Sequence, residues 1–216
     1  MRNISSDNLA ALEARQLIAR DFLWVNARTM DTGAPYSGGF WSDVGNVAAQ
    51  VVDPNTGLAV TRNFEGSGTL ISIDSIPLVA NLSVQDVTIE LSQIDASVEM
   101  MIRGYDLRQA GIEIYRGLLS TTSRLLVAPA LCRFVGFVDE MDIITPEEGQ
   151  PGSVKLSCVS HTQEMTRANA DTRSDASQRR RSETDNFFQD VTTIGELEFF
   201  WGRHSGKISS KSGAKK

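Results

Sequence analysis

The chain has 216 residues and a formal net charge of −6, and hydrophobic and charged residues make up 41% and 22% of it. These values are typical of a soluble globular protein with one large domain, or one domain with a smaller appendage. The acidic balance argues against a dedicated nucleic-acid-binding protein, because such a protein needs a basic stripe that neutralises phosphates.

The first predicted element is an amphipathic N-terminal helix of about three turns within residues 1–20. Ser5 or Ser6, followed by Asp7, can cap its start. The apolar residues that suggest the helical spacing are Leu9, Ala11, Leu12, Leu17 and Ile18. No apolar core of a signal peptide precedes them, so we expect neither secretion nor membrane insertion.

Residues 21–166 are predicted to form an antiparallel β domain. The segments 87–92 and 154–159 alternate apolar and polar residues, and the segments 68–73, 112–119 and 132–144 are rich in β-branched and aromatic residues. The turn-forming clusters 53–57 and 146–152 predict hairpins. Residues 96–107 lack strict alternation and suggest a short helix between strands.

The composition changes near Thr166. Residues 169–184 contain almost no large apolar residue, whereas residues 186–202 are apolar again. We therefore predict that residues 167–202 form a C-terminal segment that docks on the body or on a neighbouring subunit, and that residues 203–216 form a disordered basic tail.

No catalytic constellation is evident, and we expect no enzymatic activity. His161 and His204 are isolated, although Cys158 and His161 have a metal-like spacing to which Cys132 could add a third ligand. Buried thiols on strands explain these cysteines better, so we expect them to be reduced and free of metal, with no cofactor. The glycines around Ser67 lack the rest of a phosphate loop and predict a turn.

Three groups of residues occur in an order that resembles a family of tail-tip proteins from tailed bacteriophages and gene-transfer agents, which act as distal tail or baseplate hub proteins. The resemblance covers about Leu82 to Gly202. The matching residues are Ile112, Ile114, Gly117 and Leu118, then Phe134, Gly136 and Asp139, then Ser174, Asp175, Ser177, Gln178, Arg179, Asp185 and Phe188.

The resemblance implies a mainly β fold, an antiparallel sandwich or small barrel related to tail-tube modules, with a mixed C-terminal segment. It also implies a virion subunit that is made in the bacterial cytoplasm and forms a hexameric or trimeric ring with other tail-tip and tail-tube proteins. DNA would pass through the ring without specific binding. Versions with several C-terminal cysteines bind metal, but this chain has no cysteine after Cys158, so no iron–sulfur cluster is expected.

The basic stretch at 179–181 is predicted to hold the C-terminal segment against its own body or against an adjacent subunit, and its residues are assigned to a subunit interface. Guanidinium groups favour carboxylates, and Asp175, Glu183 and Asp185 are close in sequence. The predicted interface residues are Asp175, Arg179, Arg180, Arg181, Asp185, Phe187, Phe188 and Trp201, of which the aromatic ones would give apolar anchorage. A solvated loop and direct DNA contact are the alternatives, and for the whole chain a receptor-binding or glycan-binding β-sandwich and a wall-degrading enzyme remain open.

Overall fold

The computed structural model describes residues 4–66, 68–77, 83–93, 95–148, 152–168 and 170–194. The chain divides into two compact units, Met1–Arg167 and Ala168–Lys216. The first unit contains helices α1 (Ser6–Ala14) and α2 (Ala96–Gly104), a 3₁₀ helix (His161–Thr166), and strands β1 (Leu17–Thr29), β2 (Pro35–Trp41), β3 (Val47–Val52), β4 (Ala59–Phe64), β5 (Leu70–Ile73), β6 (Asp86–Ser92), β7 (Tyr105–Ser120), β8 (Leu131–Ile144) and β9 (Ser153–Ser160). The second unit contains helices α3 (Asp175–Arg181) and α4 (Val191–Ile194).

Seven strands of the first unit form one antiparallel sheet in the order β2-β1-β7-β8-β9-β6-β5, and this sheet curls into a half-barrel. Strands β3 and β4 form a separate two-stranded sheet. The prediction of a mainly β, antiparallel fold with an N-terminal helix is therefore confirmed.

Strand β7 is an inner strand of the large sheet and pairs with β1 and β8. Successive side chains of a strand point to opposite faces, and here both faces are covered. Ile112 and Ile114 enter the main hydrophobic core, whereas Tyr115 and Leu119 enter a second core. The large sheet is thus buried on both sides along this strand.

Helix α2 contributes three side chains to the main core. Val98, Met101 and Ile102 are buried, and their spacing of three and four residues puts them on one helical face. The Asp95 side chain caps the helix by accepting a hydrogen bond of 2.8 Å from the backbone N–H of Ser97. The predicted helix between strands is confirmed, and it ends at Gly104.

The small sheet packs on the other face through aromatic rings. The ring centroids of Phe22 and Phe64 are 5.0 Å apart in an edge-on arrangement, and Phe22 stacks on Trp41 at 5.6 Å. Backbone hydrogen bonds also join strand β3 to Ala130, which accepts from the N–H of Val52 at 2.9 Å and donates to the carbonyl oxygen of Gln50 at 2.8 Å. These contacts form the second layer of a sandwich.

The predicted strands at 68–73, 87–92, 112–119, 132–144 and 154–159 fall on β5, β6, β7, β8 and β9. Both predicted hairpins are confirmed by antiparallel pairing of the flanking strands. In the first turn Gly57 has a φ of 71°, a conformation that glycine adopts at little cost. Residues 149–151 of the second turn, and Ser67 of the predicted glycine turn, lie outside the described residues.

The prediction for the first helix is wrong in two respects. Leu17 and Ile18 belong to β1, because the helix ends at Ala14 and Arg15 follows it in a left-handed conformation. Leu9 and Leu12 are exposed, whereas Asn8 is the buried residue of the helix. The apolar spacing that indicated a helix therefore did not identify the face that packs on the sheet.

Gly136 is predicted to be essential for the packing of β8 against β9. A Cβ atom at this position would lie 2.1 Å from the carbonyl oxygen of Val159, so Gly136→Ala forces the backbone to move. We expect a loss of about 1–3 kcal/mol in the free energy of unfolding, measured by urea denaturation. Gly111→Ala on the neighbouring strand is the control, because its Cβ atom would meet nothing closer than Asn26 Cβ at 3.6 Å. Equal losses in the two variants would contradict this expectation.

Candidate subunit interface

The arginine-rich stretch lies on a short helix of the second unit. Ser174 caps α3, since its side-chain oxygen accepts a hydrogen bond of 3.3 Å from the N–H of Ser177. Asp175 occupies the first turn and the three arginines occupy the last turn, so both charges complement the helix dipole. The sequence analysis predicted no helix here, although the capping serine and this order of charges were visible in the sequence.

The three arginines form ion pairs with two carboxylates. Arg179 Nε lies 2.9 Å from Asp175 Oδ2, one helical turn earlier. Arg180 Nη2 lies 2.5 Å from Asp171 Oδ1, and Arg181 pairs with the other oxygen of the same carboxylate. Hydrogen bonds from Arg181 and then Arg180 hold the pKa of Asp171 below its usual range. Two adjacent arginines can therefore share one carboxylate, which Asp171 provides from outside the helix.

Asp185 has a different partner from the one the sequence suggested. It accepts a hydrogen bond of 2.5 Å from Gln178 Nε2 and another of 3.0 Å from the N–H of Phe187. The first of these is the main cause of the lowered pKa of Asp185. The carboxylate thus fixes the chain after α3 to the helix itself, rather than pairing with an arginine.

The paired phenylalanines follow this turn. Their ring centroids are 5.0 Å apart and the rings meet edge to face. Phe187 has 80% of its surface exposed, although it is a large apolar residue. The structure brings seven of the eight predicted interface residues into one unit, whereas Trp201 lies outside the described residues.

The two cysteines lie in different cores. Cys158 is fully buried in the main core, and burial raises the pKa of its thiol to about 12. Cys132 is half-buried against the second core, and the two thiols form no disulfide. His161 packs edge-on against Phe137, with 4.4 Å between the ring centroids. Within the described residues, no three side chains of the metal-binding types come together.

A buried polar cluster that the sequence analysis missed joins the two sheets of the first unit. Arg62 Nη1 donates hydrogen bonds to Glu113 Oε2 and, at 3.0 Å, to Tyr115 Oη. The Tyr115 hydroxyl donates to the same Glu113 oxygen. Only 12% of the Arg62 side chain and 8% of the Glu113 side chain are exposed, and the guanidinium lies 4.8 Å above the centre of the Trp24 ring.

The electrostatics of this cluster indicate a structural role. Burial, and then the hydrogen bond to Glu113, raise the pKa of Tyr115, so that the phenol keeps its proton and can continue to donate. The charges of Arg62 and Glu113 compensate each other where water is excluded. Because these three side chains satisfy one another, the cluster holds β4 against β7.

Comparison with protein-family models finds no match for this chain, and comparison with curated proteins finds none either. In the part of the chain that the structure describes, no helix combines the length and apolarity needed to cross a membrane.

Replacing Arg62 by methionine is expected to destabilise the first unit strongly. The Glu113 carboxylate would stay buried without its cation, which costs about 3–5 kcal/mol in comparable cases. The control is Arg20→Met, because Arg20 pairs with Asp43 at 2.8 Å at a partly exposed site and such a pair contributes about 1 kcal/mol or less. Adding Glu113→Gln to Arg62→Met should restore part of the loss. The free energy of unfolding is measured by urea denaturation for the unchanged protein, Arg62→Met, Arg20→Met and the double variant with Glu113→Gln. Similar losses of this free energy for Arg62→Met and Arg20→Met would contradict the role given to the cluster.

Proposed function

We propose that this protein is a non-enzymatic structural subunit of the tail tip or baseplate of a tailed bacteriophage or gene-transfer agent. In this proposal it forms a hexameric or trimeric ring around the DNA channel and contacts other tail-tip and tail-tube proteins. DNA passes through the ring without specific binding, and the protein resides in the virion.

The observation that carries the proposal is where the residues of the resemblance fall in the fold. They lie on β7, on β8 and, in the second unit, at the N-cap of α3, on α3 and in the chain that follows it. Two glycines of the pattern lie at crowded positions. A Cβ atom on Gly136 would lie 2.1 Å from the backbone oxygen of Val159, and one on Gly117 would lie 2.5 Å from Leu126 Cδ2, the end of a flexible side chain. The packing of the half-barrel thus constrains part of the pattern, which supports the proposal.

The charge and surface of the chain support the same proposal. A net charge of −6 repels phosphate, which discourages DNA from adhering to the wall of a conduit. In the second unit, the exposed Phe187 next to a paired set of charges resembles the apolar anchor and polar rim of protein interfaces. The buried charged residue Glu113 of the first unit is engaged by Arg62 and Tyr115, which favours a structural over a catalytic assignment.

A groove in the first unit favours receptor or glycan binding as a second candidate function. It has a volume of about 330 Å³ and lies beside an irregularity of β7 where Leu107 to Ala110 stand opposite the single residue Ala27. Gln109 in this segment has a left-handed φ of 56°. The side chains that could bind a sugar or an acidic group include Asn26, Arg28, Ser37, Arg108 and Gln109. Saturable binding of host surface saccharides would favour this candidate.

Antibody labelling of intact particles tests the location. With an antibody raised against the purified chain, we expect gold label at the distal end of the tail in negatively stained particles. Particles lacking the protein serve as the control for nonspecific label. Label on the capsid, or no label on intact particles, would contradict the proposal.

The triple variant Arg179→Ala, Arg180→Ala, Arg181→Ala tests the interface. We expect a protein whose first unit keeps its cooperative unfolding but whose incorporation into particles falls, because the variant loses the ion pairs to Asp171 and Asp175 that hold α3. Arg103→Ala is the control, since it removes an exposed arginine that pairs with Glu99 in the first unit. If the triple variant assembles normally but delivers DNA poorly, the arginines contact DNA and do not form a subunit interface.

A further inference from the structure

A small cleft lies between helix α1 and the large sheet. Its volume is about 110 Å³, and its lining comes from α1, the residue Ile4 just before it, β7 and β8. The lining residues are Ile4, Asn8, Leu12, Arg116, Leu118, Leu131 and Arg133. Asn8 and Leu12 are four residues apart on α1 and therefore share one face of the helix, and Ile4 lies just before the N-cap Ser5.

The cleft combines apolar walls with one unsatisfied acceptor. Asn8 is only 3% exposed, yet its side-chain oxygen has no hydrogen-bond partner among the described residues. Buried polar atoms in folded proteins almost always have a partner. Such an acceptor, in a cleft that is otherwise lined by isoleucine, leucines and two arginines, fits a ligand with an apolar body and a donor group.

Two guanidinium groups in the lining further limit which ligands fit the cleft. Arg116 is held in place by Asp21, to which its Nε and Nη2 donate hydrogen bonds of 2.7 and 3.0 Å. Arg133 is the extra residue of a β-bulge in β8, where the pairing skips from Phe134 to Cys132, and bulges of this kind redirect a side chain. Guanidinium groups attract the faces of aromatic rings. An aromatic ring with an O–H or N–H donor therefore suits the cleft better than an aliphatic group.

The size of the cleft limits which aromatic side chain with a hydrogen-bond donor can enter it. Cavities on the order of 150 Å³ bind benzene, so a cleft of about 110 Å³ that opens to the surface accepts a six-membered ring more readily than an indole. Ile4 and Leu12, which line the cleft, are exposed, and a protein partner would cover their apolar surface. We propose that this cleft is a docking pocket for a tyrosine side chain of a partner protein, whose hydroxyl donates to the side-chain oxygen of Asn8. This inference does not depend on the proposed ring function.

The test compares N-acetyltyrosinamide with N-acetylphenylalaninamide, which differ only in the phenolic hydroxyl. Each is titrated into the full chain while the methyl NMR signals of its isoleucines and leucines are recorded. We expect the tyrosine compound to shift the signals of Ile4, Leu12, Leu118 and Leu131 and to bind roughly fivefold more tightly, as one added hydrogen bond predicts.

Three variants make the result specific. Asn8→Leu removes the acceptor while keeping a side chain of similar size, so the preference for tyrosine should disappear. Leu12→Trp fills the cleft and should abolish binding of both compounds. Leu9→Trp is the matched control, because Leu9 is exposed on the same helix but does not line the cleft, and its binding should equal that of the unchanged protein.

Three outcomes would overturn the proposal. Methyl signals that do not respond to either compound would show that the cleft holds water only. Equal affinity for the two compounds in the unchanged protein would exclude a role for Asn8. Binding of free p-cresol without binding of N-acetyltyrosinamide would mean a site for a small molecule rather than for a protein side chain.

Discussion

The first unit depends on one strand that is buried on both faces. Strand β7 contributes Ile112 and Ile114 to the main core and Glu113 and Tyr115 to the contact with the small sheet. A strand in this position cannot leave a polar group unmatched, because an isolated buried charge costs several kcal/mol. Arg62 on strand β4 meets that requirement. When the two sheets pack together, Arg62 therefore also neutralises the charge of Glu113.

This arrangement separates the parts that give stability from the parts that are available to partners. The half-barrel, α2 and the small sheet bury their apolar surface within the first unit. Features at the surface include the cleft under α1, the groove beside the irregularity of β7, and, in the second unit, Phe187 next to the charges on α3. A subunit of an assembly requires such a division, since its contacts with neighbours have to form without disturbing its own core.

Local patterns in the sequence predicted the parts of the fold that depend on local physics. Alternation predicted β6 and β9, β-branched and aromatic content predicted β8, and the turn residues predicted the hairpin after β3. Helix α2 was predicted because residues 96–107 lack alternation. Strand β1 was partly assigned to the first helix, because Leu17 and Ile18 continue the helical spacing of Leu9 and Leu12 by chance.

Features that depend on contacts between distant residues were not accessible from the sequence. Arg62 and Glu113 are 51 positions apart, and no spacing rule connects them. Asp171 was overlooked as the partner of Arg180 and Arg181, because only the helical geometry of α3 brings it within reach. The burial of Asn8 in place of Leu9 depends on which side of α1 meets the sheet, and that is set by packing rather than by composition.

The most direct measurement of the proposed function is electron cryo-microscopy of intact particles. If the chain is a tail-tip subunit, its curled seven-stranded sheet will fit density repeated three or six times around the channel at the distal end of the tail. A fit to the capsid, or to a single copy away from the channel, would contradict it.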